Sequence, residues 1–265
     1  MIPLASITAW SNVSPWGNMH FVEQDLLLSR MLVDLFNDKM LAEKLAFRGG
    51  TALHKLYLSP QPRYSEDIDL VQINPEPIGN VLDQVRKVFF YLGNPSIKQT
   101  KRSNIIFYHF IAETLPHAKV RIKIEINCQE HLNVLGLVKK PFDVHNSWFT
   151  GGCDIYTYSI DELIGTKIRA LYQRKKGRDL FDIYYAIKSG KLDIDKAIYC
   201  YRKYMELSVG QVPSAKLYFD NLSKKIEDPL FISDIKPLLR PTVQYDMHEA
   251  FESFNEHFIK TMSSY

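Results

Sequence analysis

The chain has 265 residues, of which 46% are hydrophobic and 24% charged, and 33 Lys and Arg against 30 Asp and Glu give a formal net charge of +3. This composition is close to that of an average soluble globular protein, which excludes a disordered or collagen-like chain. The near balance of charge argues against a surface coated in positive charge for non-specific nucleic-acid binding, although it allows a local basic patch. The length suits one elaborated domain or two packed domains.

The cysteines and the hydropathy pattern indicate a reducing compartment and no membrane anchor. Cys128, Cys153 and Cys200 are far apart and lack CxxC spacing, so neither a disulfide framework nor a zinc site is expected. Residues 1–16 do not have the pattern of a signal peptide, and the apolar runs are too short to span a bilayer. We therefore expect a cytoplasmic protein with no membrane partner.

The first half of the chain is predicted to alternate helices with strands. Residues 1–20 read as an extended arm with aromatic anchors, and apolar residues at three- and four-residue steps predict a helix over 21–41. Further helices are predicted over 52–58 and from Pro75 to Tyr91. Strands are predicted over 45–47, 67–73, 105–111 and 120–127. An irregular region is expected over 128–153, followed by a last edge strand over 155–158.

The second half is predicted to be helical. Ser159 is the expected N-cap of its first helix, with Glu162 three residues later as the partner in a capping box. The predicted helices cover about 160–175, 178–188, 193–206, 213–226 and 242–262. The fold class is therefore α+β, with a mixed sheet flanked by helices in residues 1–158 and a C-terminal helical domain in residues 159–265.

A strand that runs into two glycines and then a helix suggests a phosphate-binding turn. Gly49 and Gly50 allow the backbone to approach a ligand closely, and Thr51 is a predicted N-cap. The N-terminus of a helix offers N–H groups and the positive end of the helix dipole, which suits a triphosphate. An ordinary strand-to-helix turn has the same pattern, so this motif alone does not decide between them.

Three acidic residues on two predicted strands form a candidate metal site. Asp67 and Asp69 are two apart, so both carboxylates project from one face of their strand. Glu125 lies on another strand, on the face that also carries Arg121 and Lys123. Mg²⁺ is commonly held by one or two carboxylates plus substrate phosphates. The alternatives are a solvated acidic edge strand and an amphipathic strand with cross-strand ion pairs.

In this order, the motifs resemble those of the nucleotidyltransferase superfamily related to DNA polymerase β. Longer segments, spanning roughly residues 20–190, are similar to the AbiEii/AbiGii toxin family. These segments run from Phe47 to Tyr57, from Arg63 to Asp69, from Lys123 to Asn127, from Glu162 to Leu171 and from Arg174 to Asp182. The resemblance implies a nucleotidyltransferase fold and a bacterial toxin of abortive-infection and toxin–antitoxin modules. Some members of the family add nucleotides to the 3′ end of tRNA.

A basic segment at the start of the helical half is the second candidate region. Six of the twelve residues from Lys167 to Arg178 are basic, and Lys167 and Arg174 share a helix face. Asp182 follows Arg178 by four residues and is expected to pair with it. The alternative is a solvated helix with weak ion pairs. The resemblance favours a functional role and makes Lys167 a catalytic candidate.

The leading hypothesis is metal-dependent transfer of a nucleoside monophosphate from an NTP to an RNA 3′ end, with tRNA the first candidate and a cognate antitoxin as a possible partner. Asp67, Asp69 and Glu125 are expected to hold Mg²⁺ or Mn²⁺. The candidate nucleotide- and phosphate-binding residues are Gly49, Gly50, Thr51, Arg63, Ser65, Lys167, Arg174 and Arg178, with Asp182 as a supporting partner. The alternatives are transfer to a protein or small-molecule hydroxyl, and a non-catalytic interaction module with the same fold.

Overall fold

The computed structural model describes residues 2–115 and 119–262, which form two compact units. Unit 1 comprises the chain up to Leu132 together with Leu137–Thr157, and unit 2 comprises Asn133–Gly136 together with the chain from Tyr158 onward. The strands belong to unit 1 and most of unit 2 is helical. The predicted α+β class is confirmed.

A seven-stranded mixed sheet forms the body of unit 1. Its strands are β1 (Leu45–Arg48), β2 (Asp67–Gln72), β3 (Ser96–Gln99), β4 (Ser103–Ile111), β5 (Lys119–Asn127), β6 (Leu137–His145) and β7 (Thr150–Tyr158). Their order across the sheet is β3-β4-β5-β2-β1-β7-β6. Strand β2 is antiparallel to β1 and parallel to β5, which places the two strands with the predicted metal ligands side by side.

The alternation of side chains along β5 follows the predicted pattern. Ile122, Ile124 and Ile126 are fully buried, whereas Lys123 and Glu125 between them are partly exposed. One face of the strand therefore packs into the core, and the other presents polar groups. The helices of unit 1 are α1 (Leu4–Trp10), α2 (Met19–Asn37), α3 (Lys39–Lys44), α4 (Gly49–Leu56) and α5 (Gly79–Val88), with a 3-10 turn at Phe90–Leu92.

Three predictions for unit 1 are wrong. The N-terminal arm is not extended: it forms helix α1, and the buried indole of Trp10 donates to Asp25 at 2.9 Å. The region 128–153 is not irregular, because it contains β6 and the first residues of β7. Strand β7 also lies between β1 and β6 rather than at an edge. Its pairing with a strand about a hundred residues away in sequence, through Phe47 and Thr157, is tertiary and leaves no local periodic signal.

Unit 2 consists of helices and short turns. The helices are α6 (Ile160–Gln173), α7 (Gly177–Lys188), α8 (Ile194–Val209), α9 (Ala215–Ile226), α10 (Pro229–Ser233), α11 (Met247–Phe254) and α12 (Lys260–Met262), with a 3-10 turn at Lys236–Leu238 and a π turn at Asn255–Ile259. No helix in the described part of the chain is long and apolar enough to cross a membrane.

Ser159 caps α6 as predicted, since its hydroxyl accepts from the backbone N–H of Glu162 at 3.2 Å. The Glu162 carboxylate does not complete a capping box. It is fully buried and accepts from the N–H groups of Val134 and Leu135 and from the hydroxyl of Tyr204, at 2.6, 2.9 and 2.7 Å. These three bonds fix the segment 133–136 to the helices of unit 2.

Candidate active site

The predicted metal ligands of unit 1 lie together on two neighbouring strands. In the parallel register of β2 and β5, Asp67 is opposite Lys123 and Asp69 is opposite Glu125. Residues two apart on a strand lie on the same face, and this register sets one such pair beside the other, so the four side chains share one face of the sheet. The structure therefore brings together three carboxylates and one ammonium group.

Lys123 bridges two of the carboxylates. Its Nζ lies 2.8 Å from Oδ2 of Asp67 and 3.3 Å from Oε2 of Glu125, and the three side chains are between 24% and 37% exposed. Burial lowers the pKa of Lys123, but the hydrogen bond with Asp67 and the charges of the surrounding carboxylates outweigh it and raise the pKa above its ordinary value. Lys123 is thus a cation held by the acidic cluster.

Asp69 lies directly against the glycine turn. Gly49 has a φ of +81°, and a Cβ atom placed on it would be 2.3 Å from Oδ2 of Asp69. Glycine is therefore required here both by the backbone conformation and by the approach of this carboxylate. Burial and the charge of Asp67 raise the pKa of the Asp69 carboxyl, in spite of the nearby Lys123 ammonium. The site holds more negative charge than its own cation neutralises.

Thr51 and Ser65 join the glycine turn to the first strand of the acidic cluster. Thr51 is not the predicted N-cap, because α4 begins at Gly49 and Arg48 is its N-cap residue. The Thr51 hydroxyl instead bonds the Asp67 carbonyl at 2.6 Å and the Ser65 hydroxyl at 2.8 Å. This arrangement fixes the start of β2 relative to the start of α4.

Arg63 is buried, and its Nη1 donates to the carbonyl of Tyr64 at 2.8 Å. Its predicted contact with phosphate stays a prediction.

The predicted residues of unit 2 form a second ionic cluster. The Nζ of Lys167 lies 3.0 Å from Oδ1 of Asp179 and 2.8 Å from Oδ2 of Asp182, and both aspartates are fully buried. Arg174 adds a two-pronged contact to Asp179, with N–O distances of 2.7 and 2.8 Å. Burial alone raises the pKa of Asp179, but Lys167 and Arg174 lower it below its ordinary value.

Two details of this cluster differ from the sequence analysis. The expected pair of Arg178 with Asp182 is replaced: Asp182 binds Lys167, and Arg178 contacts Asp234 at 3.6 Å. The reason is that α6 ends at Gln173 and α7 starts at Gly177, so the two helices are not continuous and their faces are set independently. Asp179 was missed as a site residue. The sequence feature that could have indicated its pairing with Arg174 is the spacing of five residues between them, across the predicted helix break at Gly177.

The chemistry of the unit 1 cluster fits a divalent cation. Its donors are three carboxylates, the ligand type that Mg²⁺ and Mn²⁺ prefer, and their excess negative charge has already drawn the Lys123 ammonium between Asp67 and Glu125. Among residues 2–115 and 119–262, no group of three or more His, Cys, Asp or Glu side chains stands in a ready metal-ligand arrangement. Asp67, Asp69 and Glu125 are the residues that would hold the ion.

The glycine turn, the paired acidic strands and the following helical unit are the features expected of a nucleotidyltransferase. The family model of the nucleotidyl transferase AbiEii toxin, type IV toxin–antitoxin system, matches residues 30–257. The chain therefore belongs to the AbiEii nucleotidyltransferase toxin family. No curated protein matches the chain significantly in sequence.

Solved structures support the same fold. MenT4, a nucleotidyltransferase toxin from Mycobacterium tuberculosis H37Rv, superposes with a TM-score of 0.63 at 13% identity, over 97% of this chain and 98% of that one. JHP933 from Helicobacter pylori superposes with a TM-score of 0.51 at 17% identity, over 92% of each chain. The superposition on MenT4 therefore extends over nearly the whole chain and includes the helical unit.

Proposed function

We propose that this toxin transfers the nucleoside monophosphate of an NTP to the 3′ hydroxyl of an RNA, with tRNA the first candidate, and that Asp67, Asp69 and Glu125 hold the divalent cation the reaction requires. The observation that carries the proposal is the register of β2 and β5, which sets Asp69 beside Glu125 on one face of the sheet. The raised pKa of Asp69, caused by burial and then by the charge of Asp67, supports it, because a bound cation would stabilise the ionised carboxylate.

The reaction needs one bond to form and one to break. The acceptor hydroxyl oxygen attacks the α-phosphorus, the bond from that phosphorus to the oxygen leading to the β-phosphate breaks, and pyrophosphate leaves. Glu125 is assigned to accept the hydroxyl proton. When bound, a divalent cation stabilises the charge that develops on the phosphoryl oxygens and favours the deprotonated nucleophile.

Phosphate binding is assigned to the start of α4 in unit 1. Gly49, Gly50 and Thr51 form the first turn of α4, where backbone N–H groups and the helix dipole favour an anion, and Ser65 and Arg63 lie in the segment that Thr51 holds. In unit 2, the Arg174 side chain is 52% exposed and that of Arg178 is 34% exposed. A role of these two arginines, and of Lys167 and Asp182, in phosphate binding stays a prediction from the sequence.

The test is incubation of the protein with α-labelled NTPs, Mg²⁺ and total RNA from a bacterial host. We expect label on an RNA fraction, lost with EDTA and lost when the 3′-terminal ribose of the RNA has been oxidised with periodate. Label on oxidised RNA would contradict a 3′ acceptor. Label in a protein or small-molecule fraction instead would replace RNA with another hydroxyl acceptor.

Membership of a toxin–antitoxin family implies that this protein inhibits growth and that an antitoxin relieves the inhibition. We expect expression of the wild-type chain to arrest growth, an inactive variant to be tolerated, and a cognate antitoxin encoded nearby to restore growth. A growth curve of each of the three strains measures this. Equal arrest by the inactive variant would separate toxicity from nucleotidyl transfer.

A further inference from the structure

The ammonium of Lys123 contacts two of the three carboxylates that are proposed to hold the cation. Lys123 lies on β5 at the register position opposite Asp67, and it precedes Glu125 by two residues on the same face. Its ammonium is in contact with both carboxylates, at 2.8 and 3.3 Å. A salt bridge to one carboxylate would be an ordinary surface pair, whereas contact with both places the charge between two of the proposed ligands.

The count of charges shows why one lysine is not enough. Asp67, Asp69 and Glu125 carry three negative charges when ionised and Lys123 carries one positive charge. Arg48 also acts on Asp69, but its guanidinium is paired with Glu130 at 3.1 Å. The cluster therefore has negative charge left over, which a divalent cation would balance. An ammonium and a divalent ion cannot both contact the same two carboxylates at close range, because they repel each other and compete for the same oxygen atoms.

We propose that Lys123 is a positioning residue that serves as the internal counter-ion of the acidic cluster and gives up its contact with Asp67 or Glu125 when a divalent cation binds. This rests on the proposed function of the three carboxylates. In the metal-free protein, the ammonium holds the two strands' carboxylates close together and limits their repulsion. The same contact weakens metal binding, since a cation must displace the ammonium before it can bind both carboxylates.

The experiment is Mn²⁺ titration of the full chain without nucleotide, followed by the electron paramagnetic resonance signal of free Mn²⁺. We expect Lys123→Gln to bind Mn²⁺ at least tenfold more tightly than the wild type. Lys119→Gln is the control, because Lys119 is an exposed lysine on the same strand and the same face. We expect this control to bind Mn²⁺ with wild-type affinity.

Thermal unfolding gives the second measurement. In EDTA, Lys123→Gln should unfold at a lower temperature than the wild type, and saturating Mn²⁺ should close the difference. Lys123→Arg keeps the positive charge and should bind Mn²⁺ no more tightly than the wild type. This variant keeps the proposal testable if Lys123→Gln does not fold in EDTA.

Unchanged or weaker Mn²⁺ binding by Lys123→Gln, or tighter binding by Lys123→Arg, overturns the role of Lys123. The proposed function survives that result if the wild type binds Mn²⁺ and Asp67→Asn does not. Absence of Mn²⁺ binding in both the wild type and Lys123→Gln overturns both proposals.

Discussion

The two ionic clusters of the molecule contain similar residues in opposite electrostatic conditions. On β2 and β5, three carboxylates surround one partly exposed ammonium, and the pKa of Asp69 is raised. On α6 and α7, two buried aspartates are matched by Lys167 and Arg174, and the pKa of Asp179 is lowered. The first cluster has excess negative charge that a bound cation would neutralise. In the second cluster, the negative charges are already balanced by Lys167 and Arg174.

The comparison shows that the charge balance of an ionic cluster indicates whether the cluster stabilises the fold or is available to bind a ligand. A buried cluster whose charges balance is costly to open, because loss of one partner leaves an unpaired charge away from water. A partly exposed cluster with excess charge of one sign is held at some cost to the free energy of unfolding, and proteins retain such arrangements at functional sites. Substitutions in the two clusters should therefore have different consequences.

The largest expected effect is on catalysis in the acidic cluster. Asp67→Asn removes a proposed metal ligand and should lower the rate of nucleotidyl transfer about a thousandfold, equivalent to about 4 kcal/mol of transition-state stabilisation. The rate of label transfer to RNA measures this. Asp154→Asn, at an exposed carboxylate on β7 of the same sheet, is the matched control and should be as active as the wild type. Equal loss in both variants would contradict a specific role for Asp67.

The next largest effect is on the stability of unit 2. Lys167→Met leaves Asp179 and Asp182 without their ammonium partner, and the expected loss is about 3–5 kcal/mol in the free energy of unfolding. Urea denaturation measures it. Lys196→Met removes the exposed pair of Lys196 with Asp193, which are 3.0 Å apart, and should change stability little. If Lys167→Met were as stable as the control, Lys167 would not be the cation that balances this cluster.

Two glycine substitutions separate backbone strain from contact with the acidic cluster. Gly49 and Gly93 have φ angles of +81° and +79°, so alanine should cost about 1–2 kcal/mol of stability at either position. Only at Gly49 does the new methyl group meet Asp69, since nothing lies within 4 Å at Gly93. Gly49→Ala should therefore also lower the transfer rate by about tenfold or more, the effect of a misplaced catalytic group. Loss of activity in folded Gly93→Ala would show that strain alone explains the result.

The smallest expected effect is that of Asp69→Asn, and its sign should be opposite to that of the matching substitution in unit 2. Asp69→Asn should raise Tm at pH 7 by about 2 °C, the shift that ~1 kcal/mol gives in a chain of this size, because it removes an ionised group whose pKa is raised in the folded state. Its advantage should disappear as the pH falls below the ordinary aspartate value of about 3.9, where the wild-type carboxyl is protonated too. Tm measured against pH for both proteins checks this.

Asp179→Asn is the counterpart. The lowered pKa of Asp179 means that its ionised form stabilises the folded state above the ordinary aspartate pKa, and that this contribution is lost as the pH falls through the folded value. The variant should be less stable than the wild type at pH 7, and the gap should narrow in acid. A shift of the same sign for both substitutions would remove the contrast between the clusters.

Local patterns predicted much of the fold and of the candidate site. The alternation from Ile122 to Ile126 predicts a strand with one buried face, and the two-residue spacing of Asp67 and Asp69 predicts a shared face; both depend only on neighbouring residues. The bridge made by Lys123 was not predicted, because it depends on which strand lies beside β2 and in which register.

The partners of Lys167 were missed for a similar reason. They depend on the end of α6 at Gln173 and the new start at Gly177, which turn Asp179 and Asp182 toward a lysine twelve and fifteen residues earlier. Strand β6 and the first residues of β7 escaped prediction. Most of the residues of β6 are partly or fully exposed, so that strand lacks a buried apolar repeat. Tertiary pairing, rather than local preference, decides these elements.

The most direct test of nucleotidyl transfer follows the α-phosphate and the γ-phosphate of the NTP separately, in two parallel reactions. The purified toxin is given RNA and Mg²⁺ with an NTP labelled at the α-phosphate, and in parallel with the same NTP labelled at the γ-phosphate. Nucleotidyl transfer predicts α-label on the RNA and γ-label released as pyrophosphate. The appearance of γ-label on the RNA, or of α-label on neither RNA nor any other acceptor, would contradict the account.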